Sequence, residues 1–100
     1  MAQFDIYRRR DGGIQFLLDL QDDMLENLST RVVAPLAPLG SVGPPMKTLN
    51  PQISVGGVQY VLLTHLLAAI PTVILGEIAG SARTQKAEII GAIDLLFTGV

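Results

Sequence analysis

The chemistry-bearing side chains of this chain are few and dispersed. Nine carboxylates, seven Lys or Arg, one histidine and no cysteine are spread over 100 residues. Acid–base catalysis needs titratable groups gathered in a cleft. Among the carboxylates only Asp22 and Asp23 are neighbours, and side chains adjacent in a strand or turn point apart, so this pair reads as a solvated turn. His65 stands among Leu62, Leu63, Leu66 and Leu67, the setting of a hydrogen-bonded, partly buried histidine rather than of a base or ligand. Without cysteine or a second histidine, a zinc site lacks its usual ligands, and neither a metal nor a cofactor is expected. Gly12-Gly13 and Gly56-Gly57 lack the Lys-Ser/Thr that follows a phosphate-binding loop. Ser29, Ser41, Ser54 and Ser81 have no nucleophile-elbow context. What remains is surface chemistry. Arg8-Arg9-Arg10 concentrates positive charge and is either a dock for an acidic peptide or a solvated hairpin end. Met24, Leu25 and Leu28 are apolar residues in a polar stretch, either an interface or a small cluster tucked beneath a loop.

The elements that must carry these residues are legible from periodicity. Phe4 and Ile6 alternate with Gln3, Asp5 and Tyr7, Asp11-Gly12-Gly13 supplies a turn, and Ile14, Phe16, Leu18 and Leu20 then share one face of a second strand. Arg31 to Ala34 reads as a short strand, ended at a sheet edge by Pro35 and Pro38. Ala37 to Asn50 holds three of the six prolines and reads as a loop long enough for a small extra ribbon. Gln52–Val55 and Val58–Leu63 flank Gly56-Gly57, a strong hairpin signal. Thr64–Ile70 reads as a helical turn or link closed by Pro71, and Thr72–Ile78 as a strand with a bulge at Gly76, broken by Gly80-Ser81. Ile89, Ile93, Leu96 and Val100 then recur at helical spacing, with Ser81 or Thr84 as the cap. Strands first and one helix last predict a mainly antiparallel α+β domain spanning residues 1–100.

Composition narrows the function classes. A formal charge of −2 excludes nucleic-acid binding through bulk positive charge. The 49% hydrophobic content exceeds what so short a chain can hide alone, which points to a partner surface or a homodimer. Val58 to Leu75 is interrupted by Gln59, His65 and Pro71 and is too short to span a bilayer. No signal peptide is read at the start, and the absence of cysteine suits a reducing cytoplasm.

The chain as a whole resembles the CcdB family of toxins from type II toxin–antitoxin modules. The resemblance runs through Gln3-Phe4-Asp5-Ile6-Tyr7, Leu18-Asp19-Leu20-Gln21, Val33-Ala34-Pro35-Leu36-Ala37, Ile53-Ser54-Val55-Gly56, Thr64 with Ala68, Ile70 and Pro71, Val73-Ile74-Leu75-Gly76-Glu77, and the tail from Ala92 to Val100. It implies an SH3-like, CcdB/MazF-type barrel with a small extra ribbon, a long C-terminal helix and a homodimer. It also implies a non-catalytic poison that binds the DNA gyrase A subunit and traps its cleaved complex with DNA. A CcdA-like antitoxin neutralises such toxins, and the pair represses its own operon, so DNA is met only indirectly. Carried over by position, Asp22, Met24, Leu25, Asp94, Thr98, Gly99 and Val100 would face gyrase. Arg8, Arg9, Arg10 and Asp19 are the expected antitoxin contacts. The tail departs from the family at Thr98, where a tryptophan is usual. Two other readings stay open: a CcdB-fold protein that binds an antitoxin but not gyrase, and an mRNA endoribonuclease of the MazF kind, for which Arg31 and Arg83 are the isolated arginines.

Overall fold

The computed structural model describes residues 2–13 and 15–99. Ile14, expected on the core face of the second strand, and Val100, expected at the gyrase-facing end, lie outside the described residues. The strands are β1 (Asp5–Arg9), β2 (Phe16–Asp19), β3 (Thr30–Pro38), β4 (Gln52–Val55), β5 (Val58–Leu62), β6 (Ala68–Pro71) and β7 (Leu75–Ser81), followed by α1 (Lys86–Thr98). All their pairings are antiparallel. The order is β4-β5-β3-β2-β1-β7, with β6 also on β3, so the sheet curls into a half-barrel with one helix behind it.

Local chemistry explains each joint. Gly56 and Gly57 both take positive φ, 59° and 82°, the two-residue turn that matches strand twist and that side chains with a Cβ resist. Gly76 sits where β7 crowds β1: a Cβ there would lie 2.9 Å from the Arg8 carbonyl oxygen. The β1–β7 register shifts between Ile6 and Tyr7 and again between Tyr7 and Arg9, and the second shift spans the bulge expected at Gly76. Phe4 takes φ 69°, which lets its N–H reach the Asp19 carbonyl at 2.7 Å while its ring stays buried.

Three sequence expectations need correction. β3 does not end at Pro35; it runs nine residues and is the hub of the sheet, with β2 on one side and β5 then β6 on the other. The Pro35 carbonyl accepts from Leu63 N–H at 2.9 Å, so the missing proline N–H faces the same side. That side is where β5 stops at Leu62 and β6 has yet to start at Ala68, so the ladder loses no bond. The segment 39–51 holds turns and bends only, and the two-stranded ribbon is made by β4 and β5. Finally, Thr72–Ile74 is a 3-10 turn, Ala68–Pro71 a strand, and β7 continues through Gly80 to Ser81.

Both faces of the sheet are covered. Phe4, Ile6, Leu18, Leu20, Leu36, Ile53, Leu62 and Ile89 form the core beneath the helix. On the opposite face Tyr7, Leu17, Val33 and Leu75 pack with Ile70 and Ile74. Each fully buried large side chain contributes about 1.5–3 kcal/mol. The helix begins through a 3-10 turn at Arg83–Gln85, and the Ser81 hydroxyl accepts from Arg83 N–H at 3.2 Å, ahead of the helix proper. Thr84 makes no side-chain cap. Among the described residues no helix is long and apolar enough to cross a membrane.

Candidate partner-binding surface

The loop after β2 is built to hold apolar side chains in water. Asp22 accepts from Met24 N–H at 2.8 Å, starting the 3-10 turn Asp23–Leu25. Asp23 accepts from Gln3 N–H at 2.7 Å and ties the turn to the start of the chain. Gln21, buried at the loop's base, donates to the Leu25 and Thr30 carbonyls at 3.0 and 3.3 Å and accepts from Val32 N–H at 3.1 Å. So braced, Met24 is 89% exposed, with Leu25 and Leu28 about half exposed. The choice left by the sequence is decided: Met24, Leu25 and Leu28 do not tuck beneath the loop but face outward. Removing the brace with Gln21→Ala is expected to cost about 1–3 kcal/mol, because buried backbone groups lose their partners. Amide exchange of residues 22–29 should speed up more than that of β4 and β5; equal protection in both regions would remove Gln21 from this role.

Beneath the loop lies a buried ion pair. Asp19 bonds Arg31 Nη2, both side chains are essentially inaccessible, and the Asp23 carboxylate stands 3.9 Å away. Burial pushes the Asp19 carboxyl up, against the pull of the Arg31 hydrogen bond. Asp19, expected as an antitoxin contact, is therefore an interior residue spent on Arg31, and its own side chain offers no surface. Burial likewise withdraws Arg31 from any RNA-cleaving role and leaves Arg83 exposed without it.

The second outward-facing element is the end of α1. Ile89 and Ala92 anchor the helix in the core, while Phe97 is 69% exposed and Asp94, Thr98 and Gly99 are exposed. Gly99 takes φ 77° and its N–H bonds the Leu95 carbonyl at 3.0 Å, a left-handed cap that turns the chain off the helix. The Thr98 hydroxyl is turned back on the Asp94 carbonyl at 2.7 Å.

The three consecutive arginines do not form one tip. Arg8 lies over the Phe16 ring at 5.2 Å, Arg9 forks onto Asp11, and Arg10 lines a groove with Tyr7 and Thr72. Alternation of side chains along the strand sends neighbours to opposite faces. The Arg9 hydrogen bonds, with help from Gly13 N–H, lower the Asp11 pKa to about 2. A depressed carboxyl adds stability above its unfolded value of 3.8 and loses it as pH falls through about 2. NMR titration of Asp11 should show that low midpoint and an ordinary one in Arg9→Ala; a midpoint near 3.8 in both would refute the pairing in solution. His65 is exposed, not partly buried, and its Nδ1 lies 3.5 Å from Asn50 Nδ2. No group of three or more His, Asp or Glu able to hold a metal occurs among the described residues.

An antiparallel half-barrel that holds apolar side chains out on a braced loop and on a capped helix end defines a protein-binding module. A family model described as CcdB protein matches residues 3–99, and the chain belongs to the CcdB family. It is thereby a toxin of the toxin–antitoxin kind, in a family that acts by binding and not by catalysis. Sequence reasoning overlooked the brace that Gln21 makes and the pairing of Arg31 with Asp19. The signal was present, because strand alternation places Asp19 and Gln21 on the face of Leu17, and Arg31 on the face of Val33.

Proposed function

We propose that this protein is a gyrase poison: it binds the DNA gyrase A subunit, traps the cleaved complex with DNA, and is neutralised by a CcdA-like antitoxin in the cytoplasm. The observation that carries this reading is the family match over residues 3–99. It is supported by the exposure of Met24, Leu25, Asp94, Thr98 and Gly99, residues the family resemblance assigns to gyrase. The test incubates supercoiled plasmid, gyrase and the protein, then removes protein with detergent and protease. Accumulation of linear DNA, suppressed by the antitoxin, is the expected result. Unaltered supercoiling with unimpaired antitoxin binding would favour a retargeted relative, a reading that Thr98 in the tryptophan position supports.

The working unit is a homodimer. Phe97, Ile78 and Val73 are 69%, 59% and 75% exposed, apolar side chains that a second copy of the chain would cover. Light scattering should give twice the chain mass at micromolar concentration; a monomer mass would refute the dimer.

A further inference from the structure

Of the six aspartates, Asp11 alone is followed by glycine. The pair stands at the exposed tip between β1 and β2, where Gly12 takes φ 87°. A Cβ built on Gly12 meets nothing within 4 Å, so the turn is open there, and no side chain of its own crowds the Gly12 nitrogen. That combination permits an intramolecular reaction. The Gly12 nitrogen attacks Asp11 Cγ: the N–Cγ bond forms, a Cγ–O bond breaks, and the oxygen leaves as water with the amide proton and the carboxyl proton. The product is a five-membered succinimide, which water then opens. Attack at the former Asp11 backbone carbonyl routes the chain through Cβ and Cγ, leaving isoaspartate and a turn one methylene longer. Attack at Cγ restores aspartate.

Three hydrogen bonds oppose the first step. Arg9 Nε donates to Asp11 Oδ1 at 2.9 Å, Arg9 Nη2 to Oδ2 at 2.6 Å, and Gly13 N–H to Oδ1 at 3.1 Å. The last of these turns the carboxylate toward the residue two places on, away from the next nitrogen. The Arg9 fork keeps the group an anion, with its pKa down at about 2, and an anion cannot release its oxygen as water until it gains a proton. Gly13 makes room for the fork, since a Cβ there would lie 2.5 Å from Arg9 Nε.

We propose that Asp11-Gly12 is a site of spontaneous isoaspartate formation, and that Arg9, seated against Gly13, is the positioning residue that restrains it. The other aspartates precede Ile, Leu, Asp or Met, whose side chains crowd the attacking nitrogen, so the reaction is confined to this tip. Its consequence falls on the hairpin, because the register of Ile6 with Leu18 and of Tyr7 with Leu17 is set by this connection.

The experiment stores the full-length protein at neutral pH and measures isoaspartate by methyl transfer from labelled S-adenosylmethionine, with mass spectrometry of the peptides to locate it. Isoaspartate should accumulate slowly at Asp11 and stay at background in Asp11→Glu, which cannot close a five-membered ring. Lifting the Asp11 pKa from about 2 to 3.8 raises the protonated fraction at neutral pH by roughly 60-fold. Water screens so exposed a pair, so Arg9→Ala should form isoaspartate about fivefold faster or more. Gly13→Ala pushes Arg9 aside while keeping its charge in the chain and should do the same; in both variants the Asp11 titration midpoint should rise. Parental rates in both variants overturn the restraint by Arg9. Acceleration with the midpoint still near 2 assigns the effect to a loosened turn and overturns it equally. Isoaspartate missing from Asp11 in the parent and in both variants overturns the site.

Discussion

Thr98→Trp is expected to tighten binding to the gyrase A subunit by about 30-fold or more, and to deepen growth arrest on induction. Interface tryptophans often carry 2 kcal/mol or more, which is a factor of that size in affinity. The site can accept the ring. Thr98 is exposed, and its hydroxyl makes one bond to the Asp94 carbonyl. Stability should therefore move by no more than about 0.5 kcal/mol. Gly99 still turns the chain off the helix with its positive φ, so the ring is presented at an already shaped end. Affinity measured by calorimetry against the gyrase A subunit decides the matter. If the tryptophan variant binds no better than the parent, the helix end is not the gyrase-facing surface here.

Arg31→Ala should be the most destabilising single change in the molecule. It strips the partner from a fully buried carboxylate, and breaking a buried pair from one side costs about 3–5 kcal/mol. Domains of this size have about 5–15 kcal/mol in total, so the melting temperature should drop by roughly 15–30 °C. The double change Asp19→Leu with Arg31→Met removes both charges and should recover most of the loss, because desolvation is relieved along with attraction. The pH dependence has a definite sign. Burial raises the Asp19 carboxyl above its ordinary 3.8, and losing Arg31 removes what opposes that rise. A carboxyl raised by folding is stabilising below its unfolded value and loses that contribution as pH climbs through the folded one. The gap between parent and Arg31→Ala should therefore narrow below about pH 4, as thermal melts would show. A gap that widens in acid would contradict the burial of Asp19 as a carboxylate. The loop carrying Met24 and Leu25 rests on this pair and on Gln21, so gyrase binding should weaken in the same variant.

Local patterns that need only neighbouring residues were readable directly. The Gly56-Gly57 turn, the alternation in β1 and β2 and the helical spacing after Lys86 depend on backbone sterics and on which face is apolar, and both are properties of short segments. The same holds for the family likeness, a one-dimensional pattern borne out over residues 3–99. Pro35 misled because its cost depends on what stands opposite its missing N–H, and that is the gap between β5 and β6. The arginine run misled in the same way: adjacent in sequence, its members point to Phe16, to Asp11 and into a groove made with Thr72.

By itself, then, the order of residues determined the class of fold, the family and the stretch that forms the last helix. Only the tertiary structure decided that Asp19 is interior, that Gln21 braces a loop, and that Met24 and Leu25 face outward from it. The reason is physical. Periodicity reports which face of a segment avoids water, whereas pairing of charges and hydrogen bonds depends on distances between segments far apart along the chain.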